Sequence, residues 1–200
     1  MLSPIAYLVL RVSDAGDSAW DLLFNSRTFD TLDRTMRLAG VVTLLSVALS
    51  LPLAWLTVRT DLPGRRLWSV LTALPLVVPS YVGAMTLIRA LGPRGLLQQA
   101  LEPWGVDRLP EIYGFHGAVL SLTFLTYPYL LLAVRTAMWG MDPTLEESSR
   151  TLGHGPWSTF RRITLPQLRP AIAGGCLLVA LYVMSDFGAV SLLRFNSFTY

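Results

Sequence analysis

The residues of this sequence that could do ordered chemistry lie mostly between Asp142 and Pro170, in the segment DPTLEESSRTLGHGPWSTFRRITLPQLRPA. Asp142 followed by Pro143 reads as a helix cap with proline at the first helical position. Glu146 and Glu147 fall in the first turns, where a carboxylate suits the helix dipole. Leu145 and Leu152 share one side, and Gly153, with Gly155 and Pro156 close behind, ends the helix. A second short helix is expected from Trp157 to Ile163. The segment offers charges, small side chains and a glycine turn. The helix signals alone fit a solvated amphipathic helix in a surface loop equally well.

Elsewhere the chemistry is sparse. Asp186 is an ionisable group inside an apolar run, which makes it a candidate for a translocation pathway. The plainer reading is a cap at the break before Gly188, or an arginine partner from another helix. Arg89 reads as a snorkelling residue and His116 as an interfacial one. Tyr81, Tyr127, Tyr129 and Tyr182 read as packing or interface residues. Cys176, the single cysteine, can form neither an internal disulfide nor a zinc site and reads as a buried, inert thiol. No phosphate loop of the GxxxxGK[ST] type occurs, so nucleotide hydrolysis would have to come from a partner. The Ser and His residues form no nucleophile elbow with a suitable third member, and no His, Cys, Asp and Glu cluster marks a metal site.

These residues are positioned by membrane spans. Of 200 residues, 52% are hydrophobic and only 14% charged, against roughly 25% in soluble domains. The net charge is +3, and all 16 basic residues are arginine. They form no basic stripe with interleaved aromatics, so a nucleic-acid partner is not indicated. A bilayer core of roughly 30 Å needs about 20 apolar helical residues. Leu38–Val58, Leu67–Ile88, Gly117–Val134 and Ala171–Leu193 meet that need. Pro52, Pro75, Pro79 and Pro128 inside these runs are tolerable in a membrane helix. Met1 to Leu10 is apolar but short and lacks the marks of a signal peptide. It reads as the tail of a span that begins outside this chain, and the C-terminal end also reads as cut. Arg59, Arg65 and Arg66 on one turn, and Arg150, Arg161, Arg162 and Arg169 on another, place both on the cytoplasmic side. The acid-rich segment Ser13–Asp33 and the mixed segment Gly92–Gly114 then fall outside.

The loop resembles the EAA signature of ABC importer permeases: Glu-Ala-Ala, three residues, Gly, nine residues, then Ile-x-Leu-Pro. Glu147, Ser148 and Ser149, then Gly153, then Ile163, Leu165 and Pro166 fit that spacing, with serines in place of the alanines. The resemblance implies an all-α polytopic membrane protein with the type I importer fold, having four full spans and a partial one. It divides the chain into residues 1–34, a span tail and outer loop, and residues 35–200, a permease domain with a coupling loop at 139–170. It implies that Glu147 to Gly153 dock on an ABC ATPase dimer, which binds the ATP, and that Ile163 to Pro166 relay motion. No cofactor is implied in this chain. The implied partners are a periplasmic or extracellular substrate-binding protein, a second permease half, fused or separate, and the lipid of a bacterial inner membrane. LPLAWLTVRTDLPGRRLW from Leu51, LPLVVPSYVGA from Leu74 and SDFGAVSLLRFNSFTY from Ser185 are similar to ferric-iron permeases. Ferric iron is the implied cargo. Thiamine, phosphonate, polyamine, sulfate and molybdate permeases share the architecture. A secondary transporter or channel would not need the loop, and a membrane-embedded enzyme would show paired acids, histidines or a nucleophile near a membrane face, none of which converges here.

Overall fold

The computed structural model describes residues 26–92, 95–102 and 112–195, and every regular element among them is helical. α1 (Ser26–Arg59) leads to α2 (Arg65–Leu71), a single tight turn (Leu74–Val77), α3 (Ser80–Leu91) and α4 (Leu96–Leu101). α5 (Phe115–Gly140), α6 (Thr144–Thr151), α7 (Pro156–Thr159), a wide π-type turn (Phe160–Thr164), α8 (Leu165–Ser185) and α9 (Gly188–Leu192) follow. The expected tail of a span at Met1–Leu10, and most of the outer segment before Ser26, lie outside the described residues.

Among the described residues, three helical stretches are each long and apolar enough to cross a membrane: Thr28–Arg59, Phe115–Gly140 and Pro156–Ser185. They pack on one another. α5 is the central one, with 72% of its apolar window buried against 28% and 22% for the others. Leu38 and Val42 of α1, Leu122, Leu130, Leu131 and Val134 of α5, and Val179 and Val183 of α8 form the core. Lipid is as apolar as leucine, so close approach between helices stabilises this packing more than burial does. A Cβ on Gly175 would lie 2.2 Å from Leu130 Cδ1 and 3.2 Å from its Cα, so this glycine sets the α5–α8 approach. Gly40 and Gly174 face open space. Ser46 and Ser50 are buried, and the Ser50 hydroxyl donates to the Tyr127 carbonyl at 2.9 Å.

The structure corrects the sequence reading in four places. α1 already runs from Ser26, so Asp30, Asp33 and the expected 34/35 boundary lie within a helix; its 34 residues span about 51 Å. The stretch Leu67–Ile88 is broken, with two arms meeting at a bend of 104°. The cause is local: Pro75 and Pro79 have no N–H to continue a helical ladder. Trp157–Ile163 is no separate helix, because the backbone continues through the wide turn into α8. The last span stops at Ser185, not Leu193, because the backbone becomes extended at Asp186 (φ −78°, ψ 110°).

The freed carbonyls at the break are met from α5. Tyr127 Oη donates to the Thr72 carbonyl at 2.8 Å, and Arg135 to the Ser69 carbonyl at 3.0 Å. Arg135 is buried and also lies over the Trp139 ring at 5.3 Å. Among the described residues Arg135 and Glu146 are buried charges besides Asp186.

Arg59 at the end of α1 meets the 142–164 segment, so the two arginine-bearing turns share one end of the bundle. At the other end the Gly114 N–H donates to the Leu193 carbonyl at 2.8 Å. Phe115 and Phe195 lie 5.7 Å apart there, beside Arg34 and Arg37. α1 therefore runs parallel to α5, and α8 antiparallel to both.

Candidate functional site

The site is the loop between α5 and α8. Asp142 caps its first helix as expected, with Oδ1 accepting the Thr144 N–H at 2.9 Å. Bonds from the Thr144 backbone and side chain hold the Asp142 carboxyl below the usual carboxylate range. The sign follows: a lowered pKa contributes at neutral pH and is lost only as pH falls through the lowered value. α6 ends at Gly153, whose φ of +83° lies in the left-handed region that favours glycine. The Gly153 N–H donates to the Arg150 carbonyl at 3.0 Å, and the His154 N–H to the Ser149 carbonyl at 3.1 Å. These two bonds satisfy carbonyls that the helix end would otherwise leave open.

α6 has two unlike faces. Glu146 and Ser149, three residues apart, point inward and are buried. Glu147, Ser148 and Arg150 are exposed, with Leu145 and Leu152 50% and 79% exposed beside them. An eight-residue helix that shows Leu145, with Leu152 at its cap, to water offers an apolar surface to a partner. Trp157 extends it, 74% exposed and stacked on Phe160 at 5.6 Å. Phe160 in turn meets Trp55 of α1 edge-on at 5.0 Å.

The inward face is held by polar bonds. Ser149 Oγ and Thr159 Oγ1 are 3.0 Å apart and buried. The Thr164 hydroxyl donates to Glu146 Oε1 at 2.9 Å. The same oxygen lies 3.4 Å from a guanidinium nitrogen of Arg59, which also donates to the Met138 carbonyl at 3.3 Å.

Of the residues singled out in the sequence, Glu147, Ser148 and Gly153 are exposed, and Ser149 is buried on the packing side. Ile163, Leu165 and Pro166 are half-buried where the wide turn enters α8. Sequence reasoning passed over Arg59, Thr164 and Glu146 as partners. The three-residue spacing of Glu146 and Ser149 was a visible sign of a polar inner face. Asp186 lies at the opposite end of the bundle, so it is not part of this site. It is buried, and its Oδ1 accepts the Ala189 N–H at 2.8 Å, which caps α9. Among the described residues no three His, Cys, Asp or Glu side chains gather to hold a metal ion.

Comparisons with known proteins agree with this architecture. The molybdenum transport system permease protein ModB of Escherichia coli (strain K12) is 34% identical over 155 residues, 78% of this chain and 67% of that protein. The Fe(3+)-transport system permease protein FbpB 2 of Haemophilus influenzae is 32% identical over 98% of this chain but only 35% of its own length. Sulfate permeases match at lower identity. Among solved structures, a bacterial alginate ABC transporter, in complex with a periplasmic protein carrying an alginate pentasaccharide, superposes with a TM-score of 0.74. It covers all of this chain and 75% of its own, at 16% identity, which speaks to the fold alone. The model of the family described as binding-protein-dependent transport system inner membrane component matches residues 40–199. The chain belongs to that family, the permease subunits of ABC importers.

Proposed function

We propose that the chain passes its substrate inward from an external binding protein and is driven by a separate ATPase dimer that docks on the 142–170 loop. The two-faced loop carries this reading. Its polar face is bonded into the bundle, while Leu145, Leu152 and Trp157 stand exposed around the Gly153 turn. The fit of Glu147, Ser148, Ser149, Gly153, Ile163, Leu165 and Pro166 to the EAA spacing supports it. On this reading Glu147 offers charge to the ATPase, Ser148 allows close approach, and Ile163, Leu165 and Pro166 pass motion to α8. A secondary transporter or channel has no use for such a surface.

The cargo is a small inorganic ion. Ferric iron is the first reading, supported by the likeness of Leu51–Trp68 and Ser185–Tyr200 to ferric-iron permeases and by FbpB 2. A molybdate or sulfate oxyanion is the second, favoured by the ModB relative, of which the chain covers 67%. The test is co-purification with the cognate ABC ATPase, followed by ATP hydrolysis in lipid with a binding protein loaded with ferric ion or with molybdate. Association and stimulation by one cargo are expected. No association with the ATPase would sink the reading, and stimulation by molybdate alone would select the oxyanion.

A further inference from the structure

We propose that Glu146 and Arg59 are positioning residues that set the rotation of α6 about its own axis, and so decide which face the loop presents to the ATPase. This rests on the coupling role proposed above.

Glu146 of α6 is bonded to the end of α1 through Arg59 and to the entry to α8 through Thr164, and Arg59 in turn holds the end of α5 through the Met138 carbonyl. α6 has eight residues, too few to hold a fixed orientation by helix formation alone. Its apolar residues Leu145 and Leu152 are exposed, so they do not anchor it to the bundle. Its hold is instead directional and polar: Glu146 on Arg59 and Thr164, and Ser149 on Thr159. A buried ion pair is a poor way to gain stability, since well-packed apolar residues often do as well or better. It is a good way to fix one orientation, because a hydrogen-bonded carboxylate accepts few geometries. A rotation of α6 by one residue, about 100°, would swing Glu146 out and Glu147 or Leu145 in.

The same bonds join α6 to α1 and α8 at once. Displacement of the loop by a docked partner is thereby passed to both long helices, not only to the one that follows it in sequence.

The experiment uses the full transporter in lipid with its ATPase and liganded binding protein, with rates expressed per assembled complex. Glu146→Gln keeps an acceptor for Thr164 but loses the ion pair. It is expected to lower stimulated hydrolysis about tenfold, within the range of ordinary coupling energies, while basal hydrolysis stays unchanged. The paired variant Arg59→Met with Glu146→Leu restores an uncharged, packed junction. It is expected to assemble as well as the wild type and yet remain unstimulated. A purely structural role would return stimulation together with assembly, and that result would overturn the inference. Wild-type stimulation by Glu146→Gln would overturn it equally. If the unmodified transporter itself associates with no ATPase or shows no stimulation, the coupling role fails instead, and the two failures are told apart.

Discussion

At the scale of single residues, space and backbone angle have to be separated. At Gly153 a side chain would meet nothing within 4 Å, but φ is +83°. A substitution there costs about 1 kcal/mol of local strain, not a clash. Gly153→Asp is therefore expected to insert and accumulate normally. It should lose uptake because a new carboxylate stands in the exposed turn; normal uptake at normal protein level would contradict this. At Asp186 the cap and the charge can be tested apart. Asp186→Asn keeps a carbonyl oxygen for the Ala189 N–H, whereas Asp186→Ala loses the cap at about 1 kcal/mol. If the charge serves the pathway, the Asn variant slows uptake while its melting temperature stays near wild type. Unchanged uptake kinetics would assign Asp186 to capping alone.

At the scale of elements, the broken segment from Arg65 to Leu91 is the most informative. Its arms are too short to cross alone: α2 covers about 10 Å and α3 about 18 Å, against a core of roughly 30 Å. Tyr127→Phe removes the donor to the Thr72 carbonyl and nothing else. A loss of about 1 kcal/mol is expected, since interhelical bonds in membranes are modest. Thermal unfolding in detergent would read it as a small drop in midpoint. The break also shows where sequence legibility ended. Apolar runs revealed how much chain lies in the membrane, and Asp142 and Gly153 marked both ends of α6. Hydropathy does not distinguish a straight crossing from a bent one, because Pro75 and Pro79 break one helix while Pro52 and Pro128 sit inside continuous ones. Nor does it reveal which of two adjacent glutamates turns inward. That depends on Arg59 and Thr164, respectively 87 residues before and 18 residues after Glu146.

For the whole molecule, α1 and α5 run in one direction and α8 in the other, and the arginine-bearing turns gather at one end. In a Cys176→Ser background, Leu152→Cys should react with an impermeant thiol reagent only in inside-out vesicles, and Tyr113→Cys only in right-side-out ones. Reaction of both from one side would refute the crossing of α5 between them. The bonds from Tyr127 and Arg135 to the broken segment bear on how the protein is made. Residues 65–91 leave the ribosome before the helix that covers their open carbonyls has been synthesised. In lipid those groups have no water to turn to. Integration of this segment should therefore wait for Phe115–Gly140. Nascent chains arrested before Phe115 should leave it extractable by alkali, and chains that include α5 should hold it in the bilayer. The order of biogenesis is thus written into a tyrosine and an arginine that come later in the chain than the segment they complete.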